Sequence, residues 1–183
     1  MTERKYPDMW VDPEDDPRET GEQPVGEKAT VWDYLRRYRL TLELKCSGLD
    51  AGQLAERSVP PSTLSLLGLV RHLAQVEHHW FYRVLQGHDD VPRLYHAASD
   101  RDHDFNGAVP DPAVVEEAWS TWRREVAAAD EWLAGDVSMD ADVPMRDGSA
   151  SVRDILVHMV EEYARHLGHA DLLRERIDGR TGQ

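Results

Sequence analysis

The residues best equipped for chemistry lie in one segment near the C-terminus, from Ile155 to Glu175. There His158, Glu161, Glu162, His166 and His169 interrupt an otherwise amphipathic helical pattern. At 3.6 residues per turn, His158, Glu162 and His166 follow one another at i, i+4 and i+8, and His169 comes at i+11. All four fall on one stripe of a single helix. Ionisable groups gathered on one stripe are costly to bury unless something offsets the cost, and a bound divalent ion is a frequent answer.

A second segment, LVRHLAQVEHHWF, supplies His72. On a facing helix, His72 together with the i, i+4 pair Glu162 and His166 can converge on one ion. Two imidazoles and a carboxylate leave a coordination position open for water or substrate, the pattern of catalytic rather than structural zinc. The spacing alone is weakly specific, since a histidine among apolar neighbours is more often a packed core residue. His158, one turn before Glu162, is a rival ligand. His79 lies two turns from His72, too far along the axis to share its ion, and lines a pocket or sits in the core. His78 is expected to point outward. Glu161, about 100° from Glu162 around the helix, is expected to face solvent.

Four long helices are needed to position these groups. The first is expected from Thr30 to about Cys46, where Val31, Leu35, Tyr38 and Leu42 have helical spacing and Gly48 is a stop. The second is expected from Ser62 or Thr63 to about Gln86, ending at Gly87. A long polar loop rich in Asp and His, His88 to Pro110, separates it from the third helix, capped by Asp111-Pro112 and running to about Leu133. Ser151 and Asp154 form a variant capping box for the fourth, which stops near Ile177 before Gly179. A short extended piece is allowed between Gly135 and Gly148. The fold class is therefore all-α, a four-helix bundle, and bundle cores are a common place for metal sites. Residues 1–27 read as an irregular, acidic, proline-rich arm lying on the surface or on a partner chain, and 28–180 as the bundle domain.

The chain has 183 residues and a formal net charge of −14. Such a charge argues against a nucleic-acid partner, because phosphate neutralisation needs a basic face. The cluster Arg36, Arg37 and Arg39 reads as a solvated face. No apolar run is long enough to cross a bilayer, and the polar N-terminus has no secretion signal. A single cysteine, Cys46, cannot form an internal disulfide; it reads as a small buried hydrophobe in a cytoplasmic protein. The tryptophans Trp32, Trp80, Trp119, Trp122 and Trp132 are candidates for bundle core or dimer contacts. Arg165 and Arg174 are expected to pair along the helix surface with Glu161, Asp171 or Glu175.

The segments LLGLVRHLAQVEHHWF (66–81) and LVHMVEEYARHLGHADLLRERIDG (156–179) resemble those of the DinB/YfiT-like superfamily. They are especially similar to its actinobacterial branch, called mini-circle proteins, over roughly residues 28–180. The resemblance implies up-down-down-up topology, a homodimer, and a divalent ion, zinc or nickel foremost, held by three side chains. Many members use three histidines, the last two spaced H-x3-H and followed by Arg-Gly-Gln. Here Glu162 and His166 occupy those positions, followed by Leu167-Gly168-His169. That set is similar to the His/Glu/His ligands of mycothiol-dependent maleylpyruvate isomerase. The resemblance thus implies His72, Glu162 and His166 as metal ligands, with His158 and His169 as their pocket neighbours.

Thiol-dependent S-transferases and isomerases occur in this superfamily, so the expected activity is thiol transfer or isomerisation on a small-molecule substrate, with mycothiol as cosubstrate. Two alternatives stand beside it: a hydrolase using the same ion with His158 or His169 as general base, and a non-catalytic, stress-associated metal-binding protein. Dependence of turnover on added thiol separates the two enzymes, and a coordinatively saturated ion marks the binding protein.

Overall fold

The fold is seen in a computed structural model that describes residues 5–6, 8–21 and 23–182. Four long helical elements carry it: α1 (Glu27–Cys46), α3 (Leu66–Glu77, continued by a π-helical segment His78–Leu85), α5 (Pro112–Ala134) and α6 (Val152–Asp178). Short helices α2 (Ala51–Ala55) and α4 (His103–Asn106) lie in the connections. A hairpin of β1 (Asp142–Met145) and β2 (Gly148–Ser151) precedes α6, with Asp142 opposite Ser151 and Met145 opposite Gly148.

Local chemistry sets the boundaries. The Asp111 side chain accepts from the Ala113 amide, with Pro112 at the first helical position of α5. Ser151 and Asp154 cap α6 reciprocally, and Gly179 ends it in the left-handed conformation (φ 74°) that glycine adopts without penalty. The α3 helix starts later than its apolar run suggested, because Ser65, rather than Ser62 or Thr63, supplies the side-chain oxygen that accepts from Gly68 N. The hairpin fills the extended stretch expected before α6.

Cross-helix contacts fix the directions. The α1 and α5 helices run antiparallel: Lys28 Nζ meets Gly135 O (2.8 Å), Arg39 meets Asp130 (2.8 Å) and Arg123 meets Glu43 (3.2 Å). The α1 and α6 helices run parallel, from Glu27 with Arg153 at one end to Lys45 with Asp171 (2.6 Å) at the other. The α3 helix is antiparallel to α6, since His72 lies beside Glu162 and Trp80 beside His158. It is parallel to α5, from Arg71 with Glu117 to the π segment's Phe81 with Trp132. The order is up-down-down-up, and the parallel α3–α5 pair is what forces the long crossover of residues 86–111.

A core of Leu35, Leu42, Leu66, Leu69, Leu73, Leu133, Leu156 and Met159 fills the bundle. Through it runs a buried polar network joining all four helices. Arg39 makes a two-pronged pair with Glu77 (2.8 and 2.7 Å), Tyr163 donates to Glu77 (2.7 Å), and Trp122 Nε1 donates to Tyr163 (2.9 Å). Arg39 is therefore a core residue, not part of a solvated face, because a carboxylate on α3 is there to receive it. Arg174 is likewise buried: it binds the carbonyls of Lys45 and Ser47 (2.9 and 2.8 Å) at the C-terminal end of α1, along with Asp178. Its expected surface pairing gives way to that capping role.

The N-terminal arm packs on its own bundle where it is described. Trp10 is buried, with the charged ends of Lys45 and Arg180 4.1 and 3.9 Å from its ring centroid, and Arg180 donates to Trp10 O (2.8 Å). Cys46 is buried, and burial pushes its thiol up to about 12.

Candidate metal centre

The centre is built from the middle of α3 and the second half of α6. His72 projects from α3, and Glu162 and His166 from successive turns of α6, so one ligand atom from each lies within 4.8 Å of the others. Glu162 Oε2 is 3.3 Å from His166 Nε2 and 3.8 Å from His72 Nε2. The rings of His72 and His166 are tilted, with centroids 4.6 Å apart. His166 is buried, while His72 and Glu162 are partly exposed, so the cluster sits at the edge of the core.

The two neighbouring histidines of the α6 stripe also reach it. His158 Nε2 lies 3.6 Å from Glu162 Oε1, and its ring packs edge-on against Trp80. His169 Nδ1 lies 3.4 Å from His166 Nδ1. Arg165 pairs with Glu161, as expected, and also comes within 3.6 Å of Glu162.

Electrostatics here follow from crowding. His72 above all, with His166 and His158, holds the Glu162 carboxyl down to about 2 against the opposing effect of burial. Burial pushes His166 down to about 4, reinforced by the positive charge on His72. Burial acts the same way on His72, but the carboxylates of Asp104 and Glu162 outweigh it and raise its pKa. At 3.8 Å the His72–Glu162 contact is too long for a hydrogen bond, so Glu162 acts there through charge.

Asp104, on α4 in the crossover, carries no distinguishing signal in the sequence. Its Oδ2 is 2.8 Å from His72 Nδ1. An ionised carboxylate only accepts, so Nδ1 carries a proton, and in the neutral ring, the form that can bind a cation, Nε2 is left with its lone pair. That Nε2 is buried and has no hydrogen-bond partner. An orphaned imidazole nitrogen beside an ionised carboxylate and a second imidazole is a donor set that fits a divalent ion.

His78 and His79 lie apart from the cluster. His78 is buried rather than outward: Nδ1 meets Glu125 (3.0 Å) on α5 and Nε2 meets the Pro92 carbonyl (3.2 Å). The π-helical turns beginning at His78 take up extra backbone and re-aim the side chains that follow. His79 is half-buried, its Nδ1 accepting from Arg83 (3.1 Å).

Comparison with known proteins then decides the family. The chain matches the family described as mycothiol-S-transferase over residues 30–179. It belongs to the mycothiol S-transferase family. This is a DinB-like family, and the match takes in α1 from its fourth residue, the other three long helices and the crossover. It begins after Trp10 and ends before Arg180, so the clasp between arm and tail lies outside the matched region. No curated protein and no solved structure matches the chain. Among the described residues of this mycothiol S-transferase family member, no helix is long and apolar enough to cross a membrane.

Proposed function

We propose that this protein is a metal-dependent S-transferase that joins mycothiol to a small electrophile, with His72, Glu162 and His166 holding the ion. The observation that carries this reading is the meeting of three donors from two helices, one of them the buried, unpartnered His72 Nε2. A divalent ion bound there, with zinc or nickel suited to a nitrogen-rich set, would supply the positive charge that lowers the pKa of a thiol.

The chain's own residues do the rest. Three protein donors leave room for the thiol. His158, about one-third exposed and 3.6 Å from Glu162, accepts the thiol proton. His169 holds the outer nitrogen of His166 and so fixes that ring. Trp80, edge-on to His158, forms an apolar side of the site. In the transfer the S–H bond breaks with its proton passing to His158. A new S–C bond forms at the electrophilic carbon, and the leaving group departs with its electron pair. A hydrolase would use the same residues with water in place of the thiol; membership of the mycothiol S-transferase family favours the thiol.

Elemental analysis of the purified protein, paired with a conjugation assay using mycothiol and an alkyl halide, tests the proposal. About one ion per chain is expected, as a single three-ligand site requires, with loss of both ion and conjugation in a His72→Ala, His166→Ala double variant. His158→Gln should keep the ion while slowing conjugation by about 10²–10⁴-fold, the usual worth of general acid–base catalysis. Full metal stoichiometry in the double variant, or turnover indifferent to thiol, would overturn it.

A further inference from the structure

The crossover between α3 and α5 brings the Asp104 carboxylate to the centre, and α3 grips that residue from two sides. His72 Nδ1 takes the carboxylate of Asp104 at 2.8 Å. The preceding residue, Arg71, takes the backbone: its Nε donates to Asp104 O at 2.8 Å and its Nη2 to His103 O at 3.3 Å. Arg71 is itself buried and lies over the Tyr95 ring, 3.9 Å from its centroid. Space around the crossover is tight. A Cβ on Gly107 would lie 2.5 Å from Arg71 Nη2, and one on Gly68 would lie 3.2 Å from the Phe105 ring. Phe105 in turn stacks on His72, with centroids 4.8 Å apart and planes at 22°. The His72 ring is thus held in plane by Phe105 and in rotation by Asp104.

We propose that Asp104 is a positioning residue for the ion centre: its carboxylate keeps the His72 proton on Nδ1 and so presents the Nε2 lone pair to the ion. The competing tautomer would carry its proton on Nε2, facing Glu162 Oε2 3.8 Å away, and would close the site against a cation. Arg71 and Gly107 serve the same end by fixing the backbone from which Asp104 projects. The inference rests on the reading of His72, Glu162 and His166 as ligands.

The test is the zinc dissociation constant of the full-length protein, measured by competition with a chromophoric chelator, in the native chain and in Asp104→Leu, Asp104→Asn and His72→Ala. Asp104→Leu should bind zinc about 10–100-fold more weakly, as loss of a group orienting a ligand histidine does. Asp104→Asn, whose amide oxygen still accepts from Nδ1–H, should recover most of that loss; a merely space-filling role predicts no such difference. Should Asp104→Leu fail to fold, Asp104→Ala carries the same expectation. Zinc affinity unchanged in Asp104→Leu, or equally poor in the Asn and Leu variants, with His72→Ala still defective, would overturn the role of Asp104 alone. A native chain that takes up no zinc, or a His72→Ala variant that binds it normally, would instead overturn the ligand reading and the inference built on it.

Discussion

At the level of single residues, environment sorts the histidines into different protonation behaviour. His79, on the π-helical segment, is half-buried beside Arg83 and Arg93, and burial followed by those two charges pushes it down to about 4. An exposed histidine in the unfolded chain titrates near 6.5. Between these values the unfolded state binds the proton and the folded state does not, so the His79 contribution is full above about 6.5 and is lost as pH falls toward 4. The melting temperature of the native chain should therefore fall more steeply with pH over that window than that of His79→Asn, which keeps an acceptor for Arg83 but cannot titrate. Parallel curves would mean that His79 takes its proton as readily folded as unfolded. The α6 residues of the proposed ion centre were legible as neighbours because helical pitch alone places i and i+4 side chains on one face. Asp104 was not, since no local spacing links it to His72, 32 residues away.

Elements explain the differences that single residues cannot. From His78 to Leu85 the second long helix is π-helical; His78 itself still bonds the Ala74 carbonyl and points inward to Glu125 and the Pro92 carbonyl. His78 is buried because α5 and the crossover bring it partners that are distant in sequence, whereas the change of pitch after it has no signature in the apolar pattern. The π segment also holds the start of the crossover: Arg83 donates to Val91 O and Asp89 O, both at 2.7 Å. The N-terminal arm adds an anchor that its composition did not show. Its prolines and acids read as irregular, yet Trp10 buries its ring among Lys45, Arg174 and Arg180. Trp10→Ala is expected to lower unfolding stability by about 3–5 kcal/mol, as large aromatic truncations in packed sites do. Chemical denaturation would register it, and a loss below about 0.5 kcal/mol, the usual range of surface substitutions, would show the arm to be passively laid on the bundle.

For the molecule as a whole, the feature that binds the four helices into one unit is the buried network of Arg39, Glu77, Tyr163 and Trp122. Glu77 is completely buried and is the acceptor on which Arg39 and Tyr163 meet. Removing one member of such a pair leaves its partner charged in a dry core, which costs more than the pair itself contributes. Glu77→Ala should accordingly destabilise the protein by about 3–5 kcal/mol in urea unfolding, with Arg39 left to the single carboxylate of Asp130. A change under about 1 kcal/mol would mean that water enters and replaces the lost carboxylate. The topology follows the same logic of neighbours: α3 and α5 run parallel, so the chain must cross the length of the bundle between them, and that crossover delivers Asp104 to the centre.

The sequence by itself determined the four long helices, their caps at Asp111 and Ser151, the stop at Gly179, and the stripe carrying Glu162 and His166. These are consequences of hydrogen bonding and periodicity within a few residues along the chain, which one sequence is enough to state. Tertiary structure alone decided what those helices face. Glu77 and Arg39 became core residues because each meets an opposite charge from another helix, Trp10 found cations from two distant segments, and His72 acquired Asp104 from the crossover. Each of these pairs joins residues at least 32 positions apart, and only the folded packing of one helix against the next brings such groups within reach.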